Sequence, residues 1–435
     1  MQYILRSAFA YIALIAAVLS LLPGMALMGA LAVSLAVVLG WQDMRHVPRG
    51  VFAFAVLTLA FALGHDPALI ATAAGSMTRL AGLVLAVMLL SNVLARTKDL
   101  QRISVSLFGG KPLVRYLSLA YGTSLVSVPL NFGSVAVVGS LVGERIRQNG
   151  DSPATRNATR AVLRGFGVAP TFSPLSISVV LTLTLLPGLG MLQLLSLAIP
   201  FAIVLVLAGL FWREPEPTQE AESLEDRAGA ASWLRFSGLI LAICAGVFWL
   251  SQQYQLSYAH SVALSCLGAV LLYRIAGLLR GERQPVSSMA NVSNELAIVG
   301  GSAFIGTVIS GVVLGQINGD PELSVWLWAM AAAAVPWLFF VAGLGGVNPI
   351  VIGTLVGGIL GSIWPADAQI GLGFAMVTGW GITAFGTPFA ANALIMERLT
   401  GYRARHASFR WSLGLSLSGL MAASLLGFGL TFWLA

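Results

Sequence analysis

The chain has 435 residues, of which 57% are hydrophobic and only 9% charged. Soluble domains carry about a quarter charged residues, so this composition excludes an ordinary soluble domain and points to an integral membrane protein. The net charge of +7 would suit a nucleic-acid partner, but the basic residues lie in short loops between apolar runs, as topology determinants do.

The N-terminal run to Leu22 is near spanning length and reads as a retained first helix rather than a cleaved leader. Apolar segments at 4–22, 24–41, 50–64 and 77–97 give four helices. Residues 112–147 hold two arms of about 16 residues around the polar turn Pro129–Ser134, each short for a single crossing, and read as a re-entrant hairpin. Residues 159–186 form a span interrupted by Gly165, Gly167, Pro170 and Pro174, and 189–212 form the next. The polar stretch 213–235 reads as a cytoplasmic linker. Helices at 236–253, 258–279 and 290–315 follow, then a second hairpin at 322–362 with Gly345-Gly346-Val347-Asn348-Pro349 at its tip. A broken span at 368–397 and a last helix at 407–433 complete an all-α chain of eleven spans and two hairpins.

The two halves share a register. Gly139-Ser140-Leu141-Val142-Gly143 returns 214 residues later as Gly353-Thr354-Leu355-Val356-Gly357. The same offset carries Gly165-Phe166-Gly167-Val168 onto Gly379-Trp380-Gly381-Ile382, and Ser173-Pro174 onto Thr387-Pro388. Residues 1–23 are then an unrepeated helix, with repeats at 24–212 and 236–435. Within them, 24–97 and 236–315 supply scaffold helices. With the N-terminus cytoplasmic and the C-terminus outside, 23 of the 24 basic residues fall on the cytoplasmic side, Arg79 alone towards the other face. An odd number of spans between equivalent points makes the repeat inverted, as in secondary transporters.

Such folds bind substrate near the bilayer midplane at broken helices, whose free N–H groups suit anions and whose free carbonyls suit cations. The candidate substrate residues are Asn131, Ser134, Asn348, Ser173, Thr387 and Asn392. The candidate ligands of a coupling Na+ at the hairpin tips are Asn131, Gly133, Thr171, Gly346, Asn348 and Thr383. Each has a structural alternative: Ser and Thr bond their own helix, Asn caps a helix end, and Gly139, Gly143, Gly353 and Gly357 pack helices. Gly165, Gly167, Gly379 and Gly381 read as permitting the breaks. Arg79 and Glu295 read as charges snorkelling from helix ends.

No carboxylate stands in mid-span, which favours Na+ held by neutral oxygens and an anionic substrate, while H+ symport stays open through a proton carried by the substrate. Cys244 and Cys266 lie in apolar runs without metal spacing, and no cofactor is implied. No paired Asp, His-Glu-x-x-His or Ser with a His partner suggests an enzyme.

The pattern resembles the ion transporter superfamily, and within it the divalent anion:sodium symporters. Gly386-Thr387-Pro388 is similar to the opening of that family's Gly-Thr-Pro-Pro-Asn motif, although Phe389 and Ala390 replace its Pro-Asn. Phe172-Ser173-Pro174 is a weaker copy, and at the tips Asn131 and Asn348 lack the family's flanking Ser and Thr. The resemblance implies a homodimer in the bacterial inner membrane, an elevator mechanism, sodium sites and a small carboxylate substrate. A large membrane subunit of a tripartite, binding-protein-dependent (TRAP-type) transporter, an inorganic anion or cation antiporter of the same superfamily, and a channel or receptor are the competing readings.

Overall fold

A computed structural model describes residues 2–95, 97–217, 230–281, 286–316 and 323–435. Arg96, Arg227, Arg283, the centre of the 213–235 linker and the first residue of the 322–362 hairpin lie outside the described residues. Every regular element described is helical.

In chain order these are α1 (Gln2–Val18), α2 (Met25–Leu39), α3 (His46–His65), α4 (Ala68–Leu94), α5 (Lys98–Ser106), α6 (Pro112–Leu130), α7 (Phe132–Asn149), α8 (Pro153–Phe172) and α9 (Ile177–Leu185). They continue as α10 (Met191–Ala208), α11 (Ala230–Gln253), α12 (Tyr258–Leu279), α13 (Ser293–Gln316), α14 (Val325–Leu344), α15 (Pro349–Ile363), α16 (Gln369–Gly386), α17 (Ala391–Thr400) and α18 (Trp411–Leu434). Among the described residues ten helical segments are long and apolar enough to cross a membrane. With the apolar composition, they make the chain an integral membrane protein.

Several expectations need correction. The apolar runs 4–22 and 24–41 yield helices of only 17 and 15 residues, because Pro23 and Gly24 force a turn between them. The arms of the first hairpin are 19 and 18 residues, longer than the expected 16, because Lys111-Pro112 and Gly150 mark their ends rather than the edges of the apolar run. The first arm of the second hairpin, α14, has 20 residues. Helix α5 was not anticipated: it is polar on one face and buries Leu100 and Ile103 on the other. Helix α11 begins at Ala230, inside the stretch read as linker.

The largest correction concerns the glycines read as breaks. Helix α8 runs without interruption from Ser152, whose side chain forms a reciprocal capping box with Thr155, through Gly165, Gly167 and Pro170 to Phe172. Helix α16 likewise runs through Gly379 and Gly381. These glycines admit neighbouring backbone. A side chain on Gly165 would strike the Ala120 carbonyl of α6, and one on Gly379 would lie 2.8 Å from Pro336 Cα of α14.

The helices group into two compact units. One comprises Met1–Val93, Ile243–Pro321 and Gly353–Ile363; the other comprises Leu94–Ala242, Glu322–Ile352 and Trp364–Ala435. In the first unit Gly306 and Ser310 of α13 pack against Thr354 and Gly358 of α15. Glu295, in the first turn of α13, is not a snorkelling surface charge: its Oε2 is buried without a hydrogen-bond partner. His260 also has partners that the sequence did not suggest, Ser20 Oγ at 2.7 Å and Ser257 Oγ at 2.6 Å, the latter also capping α12.

The second unit is built around α16, all of whose residues are buried. At one end, the Arg213-Glu214-Pro215-Glu216-Pro217 segment leaves α10 and lies across α6 and α8. In extended chain, residues two apart face the same way, so both glutamates reach the helices. Glu216 pairs with Arg115, and Glu214 with Arg156 (3.0 Å) and Arg160 (2.6 Å). Asn157 donates to the Glu214 carbonyl (2.8 Å) and accepts from its N–H (2.9 Å). Tyr402 donates to Asp151 (2.6 Å), and burial together with that carboxylate pushes its phenol up to about 12.

Candidate functional site

All the candidate residues belong to the second unit. Helix α8 ends at Phe172 and resumes as α9 at Ile177; α16 ends at Gly386 and resumes as α17 at Ala391. Each gap holds a proline, Pro174 or Pro388, which has no N–H to continue the ladder.

The two broken helices cross at their last turns. A side chain on Gly381 would strike Thr171 Oγ1, and one on Gly167 would lie 2.5 Å from Phe385 Cβ. Adding 214 to Gly167 and Thr171 gives Gly381 and Phe385, so the two contacts exchange with one another, as expected across a local twofold axis.

Around the second break Thr383, Thr387 and Asn392 bond backbone carbonyls, while Ser416 Oγ, which faces Gly386, is buried without a partner among the described residues. Thr383 Oγ1 donates to the Gly379 carbonyl (2.7 Å), Thr387 Oγ1 to Thr383 (2.8 Å), and Asn392 Nδ2 to Ala384 (2.9 Å). Ser408 Oγ bonds the Phe385 and Thr387 carbonyls at 2.6 and 2.9 Å. The α14 end lies beside this break, Gly343 facing Thr383 and Thr387, and a side chain on Gly346 would lie 3.8 Å from Phe389 Cγ. Gly346 takes a φ of 80°, a conformation that suits glycine. Asn348 caps α15 by accepting from Ile350 N–H at 2.9 Å.

The first break differs at equivalent positions. Ser173 corresponds to Thr387 and Ser178 to Asn392. Both hydroxyls are buried, Ser173 to 2% exposure and Ser178 to 1%, and neither has a hydrogen-bond partner. Ser176 caps α9, accepting from Val179 N–H at 3.2 Å and donating to the Ser173 carbonyl at 2.8 Å. Two further partnerless buried hydroxyls, Thr123 and Ser124, stand on α6. Ser and Thr in an apolar helix carry no signal in the sequence until packing shows which hydroxyls lack a carbonyl.

At the first tip Asn131 takes a φ of 48°, rare outside glycine. Its carbonyl accepts from Ser134 N–H (3.1 Å) and Ser134 Oγ (2.7 Å), and Ser134 Oγ lies 2.6 Å from Ser127 Oγ. The Asn131 side chain makes no capping bond, and Gly133 beside it is half-buried. Phe132 stacks on Phe166 of α8, centroids 5.3 Å apart. The structure therefore gathers Thr383, Thr387 and Gly346 at one break, and joins Thr171 to Gly381 at the crossing. Among the described residues no hydrogen bond joins Asn131 to Asn348.

The arrangement offers buried neutral oxygens where a helix is interrupted, a setting that suits a desolvated ion or a polar ligand. No ionisable group is needed to hold either.

No known family model matches the chain, and no curated protein matches it. Among solved structures, the chain is similar in fold to the YdaH transporter of Alcanivorax borkumensis, described as having an unusual topology. The TM-score is 0.50 at 17% identity, covering 88% of this chain and 98% of that one.

Proposed function

We propose that the protein is a secondary transporter that moves a small organic anion across a bacterial inner membrane, coupled to Na+, by an elevator motion. The observation that carries this reading is the pair of buried, partnerless hydroxyls at Ser173 and Ser178, where the equivalent Thr387 and Asn392 are satisfied internally. A buried polar group without a partner costs about 1–3 kcal/mol, a cost that a bound ligand would relieve.

The likeness to a transporter fold supports the class, and the two contact-defined units support a division into a scaffold and a transport body. The hairpins α6–α7 and α14–α15 would be re-entrant, with the N-terminus cytoplasmic, the C-terminus outside, and two copies forming the working dimer.

The test is uptake of a carboxylate panel by the purified chain in liposomes, with and without an inward Na+ gradient. Concentrative uptake that needs Na+ and is lost in Ser173→Ala supports the proposal. Uptake that runs without any cation gradient, or only with added protein components, overturns it.

A further inference from the structure

We infer that Arg164 sets the charge selectivity of the Ser173 break, favouring dianions over monoanions, an inference that rests on that break being the substrate site. Arg164 lies on α8 and is wholly buried, at 0% exposure. It stands on a helix inside the second unit rather than in a loop.

Its guanidinium bonds only neutral oxygens: Tyr116 Oη, the Gly209 carbonyl and the Trp411 carbonyl, each at 2.9 Å, with Ser412 Oγ at 3.3 Å and the Trp212 carbonyl at 3.4 Å. Among the described residues it has no ion pair. Three neighbouring arginines are matched by carboxylates, Arg115 by Glu216, Arg156 by Asp151 and Glu214, and Arg160 by Glu214, whereas Arg213 leaves Nη1 buried without a partner.

A buried ion is costly, and an apolar residue of similar size often serves stability as well. Dipoles that hold the guanidinium leave its net charge in place, and the low-dielectric interior transmits it further than water would. Ser173 follows Arg164 by nine residues, about 13 Å along the helix axis. At that range in a protein interior, one unit charge changes anion affinity by roughly five- to tenfold per unit of ligand charge. Because the charge and the break share one rigid helix, the bias travels with the site.

The experiment compares succinate with butyrate, a dianion and a monoanion of equal chain length, by ligand-induced thermal shift of the purified full chain in Na+. The expected result is that Arg164→Gln lowers the succinate-to-butyrate affinity ratio five- to tenfold, whereas Arg164→Lys keeps it despite lower stability. Glu214→Gln, which strips the carboxylate from Arg160 one turn earlier on α8, moves the ratio the opposite way and serves if Arg164→Gln does not purify. An equal loss for both ligands in Arg164→Gln, or an unchanged ratio in Glu214→Gln, overturns the inference while leaving the transporter reading intact. Absence of stabilisation of the unaltered protein by either ligand overturns both.

Discussion

Two residues at equivalent positions show how little a side chain's identity says about its work. Asn392 and Ser178 are related by the repeat, yet Asn392 ties down the Ala384 carbonyl while the Ser178 hydroxyl bonds nothing. Asn392→Ala should therefore destabilise the protein by about 1–3 kcal/mol, the usual cost of orphaning a buried acceptor, seen as a lower thermal midpoint. Ser178→Ala removes a group that already lacks a partner, so the midpoint should stay or rise while Na+-dependent uptake falls at least tenfold. A large loss of stability with Ser178→Ala would show that its hydroxyl is structural. The candidate residues could be named from the sequence because Ser-Pro and Thr-Pro in apolar surroundings mark helix ends. Which of them are spent on the fold could not, since that depends on whether a carbonyl one turn back is in reach.

At the scale of helices, the repeated Gly-x-Gly was legible but its role was not. Two glycines six and eight residues before a proline-bearing gap read as weak points, yet both helices continue through them and cross there. The glycines serve by absence of side chain: Gly167 faces Phe385, and Gly381 faces Thr171. Gly381→Val should prevent the α8–α16 crossing and abolish folded protein in detergent, measured by monodisperse recovery on size exclusion. Gly429, with nothing near it, should accept alanine without loss.

Helix α5 escaped notice because nine residues with a half-polar face carry too weak a periodic signal beside apolar spans. It is fixed to α11 by Asp99, which accepts from Arg235 at 2.7 and 2.9 Å and from Ser232 at 2.8 Å. The Arg235 hydrogen bonds hold the Asp99 carboxyl below its ordinary value. A lowered carboxylate stabilises the folded state above its unfolded value, near pH 4, and that contribution disappears as pH falls through the lowered value. Asp99→Asn should thus reduce the thermal midpoint at pH 7 and narrow its difference from the parent protein as the pH is taken to 3.

For the molecule as a whole, composition established the membrane class and the all-helical fold, because 57% hydrophobic residues in long runs leave few alternatives. The grouping of helices into two units was less accessible. It depends on contacts between segments far apart in sequence, and two of the boundaries between units fall inside helices, at Ala242–Ile243 in α11 and Ile352–Gly353 in α15.

That boundary changes what the central linker is for. The segment before residues 218–229 is held by Glu214 and Glu216 on α6 and α8, and the segment after them by Arg235 and Ser232 on α5. Both attachments lie in the second unit. The covalent join of the sequence repeats is therefore a seam, and a protease cut there should leave two fragments that stay together through purification and transport at the rate of the uncut chain. The unit boundary at Ala242–Ile243 lies inside α11 itself, and lengthening that helix by two residues should arrest transport where opening the seam does not.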